Sequence, residues 1–208
     1  FSAIVSAPAD QVPKSLMITS SVADEGKTTV ATCLASMMAR SGKRVILIDA
    51  DSRRPDAAKL MQVPGGPGLM DVLTGNASLG DVIQTHEASG AFIISAGNAP
   101  INPPAVLASE QFAATLKGLA DRCDMVIVDS PPVMAVSDAL AMASHMDATV
   151  LVARWGVTKR ASVRLSVRYL NNAGASLIGG VLTQVDAGKY ALYGYGDSGS
   201  YTGDLAAY

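Results

Sequence analysis

Short, unbroken apolar runs alternate along this chain with longer segments that carry apolar residues at helical spacing. The runs fall at residues 15–19, 44–49, 91–95, 125–129, 148–153 and 177–182. Runs this short and this continuously apolar suit strands buried on both faces of a parallel sheet. Helix-length segments separate most of them. One covers 28–40, and another, 109–120, carries Phe112, Leu116 and Leu119 at the spacing of a helix face. A short helix over 137–144, capped by Ser137, and a longer one over 158–173, ended by Gly174, complete the set. Strands alternating with helices predict an α/β fold built on a doubly wound, mostly parallel sheet. After Asp186 the composition turns to Gly, Ser, Tyr and Asp. A domain over 1–186 followed by a flexible tyrosine-rich tail over 187–208 is the expectation, since that tail has little to bury beyond its tyrosines.

The loop between the first strand and the first helix carries the strongest chemical signal. Ser21-Val22-Ala23-Asp24-Glu25-Gly26-Lys27-Thr28-Thr29 has Walker A spacing, with Ser21 in place of the first glycine. In a strand–loop–helix setting, such a loop wraps a phosphate chain with backbone N–H groups and the helix N-terminus. Lys27 then reaches the β/γ oxygens and Thr28 holds Mg²⁺. Two other strands end in acids: Asp49 with Asp51, and Asp129. Ligands of such sheets sit at the carboxyl ends of strands, so these acids should converge on the loop. Mg²⁺ sheds its hydration shell reluctantly, so carboxylates usually hold it through water. Arg53 and Arg54 either neutralise phosphate charge or form a surface contact between subunits.

These residues make the chain recognisable. From Lys14 onward it resembles the kinase domain of the bacterial protein-tyrosine kinases that accompany polysaccharide export. The resemblance rests on the strand from Lys14, on Glu25-Gly-Lys-Thr-Thr29, on Asp49-Ala-Asp-Ser-Arg-Arg-Pro55 as a second Walker A-type motif, and on Asp129-Ser-Pro-Pro132 as Walker B. Gly68-Leu-Met-Asp-Val-Leu-Thr-Gly75 and Ala96-Gly-Asn-Ala-Pro-Ile-Asn-Pro103 also look like that family. The tyrosines Tyr190, Tyr193, Tyr195, Tyr201 and Tyr208 are similar to its autophosphorylation cluster. The resemblance implies a P-loop fold of the deviant Walker type, with ATP and Mg²⁺ as cofactors. It implies Lys27, Asp49, Asp51 and Arg53 as catalytic residues, with Asp49 as the base for an incoming tyrosine. Thr28 would bind the metal directly, Asp51 and Asp129 would hold its waters, and the loop 21–29 with Asp186 would contact the nucleotide.

Departures from the pattern refine the picture. The related partition and division ATPases carry an extra lysine early in the loop, where this chain has Val22. The kinases usually have Pro-Gly where this chain has Ala23-Asp24, which predicts a stiffer turn, added negative charge and weaker ATP binding. Their N-terminal acid–arginine–arginine motif would put its arginines at Ser2 and Val5. The resemblance further implies a ring-like homo-oligomer. It also implies a membrane-spanning co-polymerase segment, in the same or another chain, at the cytoplasmic face of the bacterial inner membrane.

Composition excludes more than it assigns. With 49% hydrophobic and 16% charged residues among 208, one domain with a sizeable core is expected. A net charge of -2 gives no electrostatic reason to expect nucleic acid. Cys33 and Cys123 read as small apolar core fillers, Tyr169 as a packed helix residue and Trp155 as rim packing. No apolar run approaches the roughly twenty residues of a spanning helix. The start at Phe1 without Met points to an excised piece. Three functions stay open on this reading: a kinase modifying its own tail, a switch ATPase that hydrolyses ATP, and a non-catalytic nucleotide-responsive assembly module.

Overall fold

The computed structural model describes residues 12–186 together with 188 and 189. The five tail tyrosines, Ser2 and Val5 lie outside the described residues. In chain order the elements are β1 (Ser15–Ser20), α1 (Lys27–Arg40), β2 (Val45–Asp49), α2 (Ala57–Leu60), α3 (Leu69–Leu73), α4 (Leu79–Val82), β3 (Ile83–His86) and β4 (Ala91–Ile94). Then follow α5 (Pro103–Leu107), α6 (Glu110–Ala120), β5 (Met125–Asp129), α7 (Asp138–Met142), a 3-10 turn (Ala143–His145), β6 (Ala148–Arg154), α8 (Arg160–Asn172) and β7 (Leu177–Thr183).

The strands form one seven-stranded sheet in the order β3-β4-β2-β5-β1-β6-β7. All neighbours are parallel except β3, which pairs antiparallel with β4. Period-two alternation along the buried strands feeds two cores, one on each face. Met17, Ile46, Ile48, Val126 and Val128 pack on one face. Leu16, Ile18, Val45, Leu47, Met125 and Ile127 pack on the other, against Ala31, Ala35 and Met38 of α1. Removing that much apolar surface from water is the main stabilising term.

Register sets the site. Asp49 pairs with Asp129 across β2 and β5, and Ile18 of β1 pairs with Asp129 on its other side. Both acids therefore emerge beside the loop that leaves β1.

The two glycine-containing family segments interlock at the edge of the domain. Asp71 accepts hydrogen bonds from the Gly68 amide at 2.8 Å, the Asn98 amide at 3.0 Å and the Asn98 side-chain amide at 2.8 Å. The amides of Leu69 and Met70 donate to Ser95 and Ala96 carbonyls at 2.8 and 2.9 Å. This approach leaves no room at Gly68, where a Cβ would stand 2.0 Å from the Ser95 carbonyl oxygen. Backbone cannot yield as a side chain does, so Gly68→Ala is expected to destabilise the fold by about 3 kcal/mol. A urea midpoint unchanged from wild type would refute this.

Several expectations need correction. The helix expected over 137–144 is α7 followed by the 3-10 turn, and Ser137 makes no side-chain capping bond. Cys33 is exposed because it lies off the α1 stripe that Ala31, Ala35 and Met38 bury. Tyr169 is 40% exposed on α8, whose buried residues are Ser166 and Leu170.

Candidate functional site

The loop after β1 is braced from three directions before it meets any ligand. Glu25 is the centre of the brace. One of its carboxylate oxygens accepts from the Val22 amide at 2.9 Å and the other from the Thr158 hydroxyl. Its carbonyl accepts from the Thr183 hydroxyl at 2.6 Å. Below, the amides of Val133 and Met134 donate to the Ser20 and Ser21 carbonyls at 2.8 and 3.1 Å. The loop is thus pinned to β7, to the turn after β6 and to the segment after Pro132.

Two residues of this loop take left-handed backbone. Gly26 has φ +85, the conformation that starts α1, where only glycine is free of strain. Asp24 has φ +62, and aspartate is among the few other residues that tolerate it. Asp24 thus adopts a glycine-like turn at the position where the resemblance leads one to expect glycine. Its charge is partly met by Arg54, whose Nη1 lies 3.6 Å away. Both groups are exposed, so this pair contributes little to stability.

Lys27 is held at the meeting point of the site. Its Nζ lies 3.1 Å from Asp51 Oδ2, 3.8 Å from Asp129 Oδ1 and 3.2 Å from Thr28 Oγ1. Burial alone would lower its pKa. Asp129, Asp51 and Asp49 outweigh that and raise it above the ordinary lysine value. Burial pushes Asp129 up to about 6, restrained by Lys27 and the nearby Thr28 hydroxyl. Neither buried oxygen of Asp129 closes a hydrogen bond of ordinary length among the described residues.

Asp49 lies one layer deeper, wholly buried. Its oxygens accept from the Asp51 amide at 3.0 Å and the Ala57 amide at 3.1 Å, so it shapes the turn that carries Asp51. Asp51 in turn accepts from the Arg54 amide at 3.1 Å. Burial, then the Asp129 charge, pushes Asp49 up to about 7 despite those two backbone donors.

A cavity of about 380 Å³ opens above these groups. Of the residues singled out from sequence, Ala23, Asp24, Gly26, Lys27, Thr28, Thr29, Asp51, Arg53 and Arg54 line it. Ser21, Val22 and Glu25 do not; the Ser21 side chain and the Glu25 carboxylate are buried within the brace. Asp49 and Asp129 stand beneath the wall. Asp186 is turned toward Lys189, accepting from its amide at 3.1 Å and pairing with its Nζ at 3.5 Å, while Gln184 reaches the cavity instead.

Sequence reading missed Asp138. Its carboxylate is fully buried, lacks a hydrogen bond among the described residues, and faces Arg53 Nε at 3.5 Å. A buried acid so placed fixes the bearing of an arginine on the cavity wall. Its sequence setting, Ser137-Asp138 at a helix start, reads only as a cap. Thr158 and Thr183 were also invisible as braces, because loop contacts across more than a hundred residues leave no local pattern.

Three hard oxygen ligands, from Thr28, Asp51 and Asp129, converge on one cation, the Lys27 ammonium. That donor set suits Mg²⁺. Among the described residues no group of three or more His, Cys, Asp or Glu could hold a metal by itself. A metal here would need nucleotide oxygens to complete its shell.

Comparison with known proteins points the same way. A family model described as an AAA domain matches residues 18–154. The chain is 38% identical over 180 residues to tyrosine-protein kinase etk of Escherichia coli, covering 86% of this chain and 25% of that protein. It therefore spans about a quarter of that relative's length. The solved kinase domain of E. coli ETK superposes with a TM-score of 0.79 at 38% identity, covering 81% of this chain and 66% of that one. Tyrosine-protein kinase CpsD of Streptococcus agalactiae is 34% identical over 189 residues, covering 90% of this chain and 81% of CpsD. The septum site-determining protein MinD of Pyrococcus horikoshii, solved with Mg-ADP, has a TM-score of 0.69 at 23% identity. That match covers 81% of this chain and 69% of MinD, and it speaks for the fold alone.

Proposed function

The chain belongs to the AAA domain family and, within it, to the bacterial tyrosine-protein kinases, and from that premise we infer that it transfers the γ-phosphate of ATP to tyrosines of its own C-terminal tail. The observation that carries this reading is the convergence of Thr28, Asp51 and Asp129 on the Lys27 amine at the floor of the cavity. The acceptors are Tyr190, Tyr193, Tyr195, Tyr201 and Tyr208, presented by a neighbouring copy in a ring-like homo-oligomer. The domain works at the cytoplasmic face of the inner membrane with a membrane-spanning co-polymerase segment, in the same or another chain, and its phosphorylation cycle regulates capsule or exopolysaccharide export. No helix among the described residues is long and apolar enough to cross a membrane.

Phosphoryl transfer asks for alignment, charge neutralisation and a proton acceptor. The amides of the braced loop and the α1 N-terminus bind the phosphates, with Asp186 and its segment serving the base end of the nucleotide. Lys27 turns from the acids to the β/γ oxygens. Thr28, Asp51 and Asp129 would hold Mg²⁺, which would neutralise phosphate charge there. Arg53, kept on bearing by Asp138, neutralises charge from the opposite wall. Asp49, with its pKa raised to about 7, takes the tyrosine proton. A phenol with a pKa of about 10 needs such a base at neutral pH.

Intact-protein mass after incubation with Mg-ATP, with each phosphate mapped to its residue, tests the reading. Tail phosphotyrosines that vanish in Lys27→Met support it. ATP hydrolysis without protein labelling would replace it with the switch ATPase. The Arg53 role has its own check: Asp138→Asn is expected to weaken ATP binding about tenfold, the loss of roughly one charge-assisted contact. Unchanged affinity by calorimetry would remove Asp138 from the site.

A further inference from the structure

A second, larger hollow lies away from the acids. It is an open basin of about 940 Å³ between the carboxyl ends of β6 and β7 and the first turns of α8. Arg154, Arg160, Arg164 and Lys189 line it, with Trp155 and the half-exposed Leu182 beside them, and no carboxylate is among its described lining residues. Lys189 pairs with Asp186. The guanidinium groups of Arg154, Arg160 and Arg164 have no ion pair or hydrogen bond among the described residues.

The helix adds to the imbalance. α8 starts after Lys159, which makes no side-chain cap, and its first turn contains no acid. Cations at the positive end of a helix dipole repel it, and an anion bound there would relieve both charges. Three uncompensated guanidinium groups beside an aromatic and an aliphatic wall form a receptor for a phosphorylated aromatic ring. The arginines meet the dianion through forked hydrogen bonds, and the wall takes the ring.

We propose that this basin docks phosphorylated tyrosines of the chain's own tail. It rests on the reading above that those tyrosines become phosphorylated. The residue after Lys189 is Tyr190, and residues 190–208 hold five tyrosines and two aspartates but no lysine or arginine. Charge complementarity therefore favours this occupant, and each phosphate adds nearly two negative charges. Tyr193 and Tyr195 are four and six residues beyond Lys189, a contour of about 13–22 Å at the extended rise per residue. That is within reach of the basin that Lys189 lines. Docking there keeps a modified tyrosine out of the acceptor position and gives the product state a resting place.

The test supplies the phosphate synthetically. The phosphatase-treated 208-residue chain is titrated with a peptide of residues 190–204 carrying phosphotyrosine at positions 193 and 195, and with its unphosphorylated counterpart. The phosphopeptide is expected to bind at least tenfold more tightly. Arg160→Gln combined with Arg164→Gln should erase that preference while leaving the melting temperature unchanged, and excess Mg-ATP should not displace the peptide. Equal binding of both peptides, a preference that survives the double substitution, or displacement by Mg-ATP would overturn the proposal. So would arginine-dependent binding to phosphatidylglycerol vesicles without phosphopeptide preference. No ATP turnover enters the titration itself. A chain without kinase activity could still pass it, and a failed titration leaves the labelling experiment untouched.

Discussion

Lys27→Met is expected to lower tail phosphorylation at least about a thousandfold and, in the nucleotide-free protein, to lower stability by about 3 kcal/mol at pH 8. The first effect follows from losing the cation that meets the β/γ phosphates. The second follows from what Lys27 does without nucleotide. Its amine is the counter-ion for Asp51 and Asp129, whose side chains are 3% and 1% exposed. Methionine leaves those charges buried and unmatched, which costs far more than an exposed pair would. The loss has a definite pH dependence. Asp49 and Asp129 have folded pKa values of about 7 and about 6, above the unfolded carboxylate value near 3.9. The native state therefore holds more protons than the unfolded state between about pH 4 and 7, and stability falls as pH rises through that window. Removing Lys27 raises the folded Asp129 value further and steepens the fall. The deficit should thus be larger at pH 8 than at pH 5, where Asp129 is protonated and no longer needs the lysine as its counter-ion. Urea titrations of both proteins at the two pH values measure it. An equal deficit at both would mean that Lys27 acts by packing rather than charge.

The legible parts of this molecule were those that local pattern encodes. Six of the seven strands announce themselves as apolar runs: five are largely buried, which admits little else, and the edge strand β7 is apolar although none of its residues is buried. β3 did not, since Ile83-Gln-Thr-His86 is a half-buried antiparallel edge with an ordinary mix of side chains. The short helices α2 to α5 were equally silent, being four or five residues long and fixed by tertiary contacts such as Asp71 to Asn98. At the site, spacing identified Lys27, Thr28, Asp51 and Asp129, because a phosphate loop and strand ends dictate their positions. It could not divide Asp49 from Asp51. One is fully buried with its oxygens accepting from backbone amides of the turn and the other lines the cavity, and that difference lies in register and in where those amides point. Nor could it show Glu25 as a brace rather than a wall of the cavity, since Thr158 and Thr183 meet it only in three dimensions.

Asp49→Asn separates the two roles open to that residue. If Asp49 accepts the tyrosine proton, transfer should fall about a hundredfold to ten-thousandfold, the range that general bases supply. The wild-type rate should rise with pH through about 7, because the base works only when deprotonated and its folded pKa is about 7. In the variant that limb should disappear. Stability should respond differently from the rate. Asparagine keeps one carbonyl acceptor for the Asp51 and Ala57 amides and leaves the other amide unpaired, a cost of about 1–3 kcal/mol. At pH 8 the same change removes a buried charge facing Asp129, which offsets the loss. At pH 5.5, where wild-type Asp49 is already protonated, only the lost hydrogen bond remains. The variant should therefore be less stable than wild type at pH 5.5 and nearly equal to it at pH 8. A slow variant that still gains rate through pH 7 would leave Asp49 as the organiser of the 50–57 turn. The proton acceptor would then be sought at Asp51, whose carboxylate already lines the cavity.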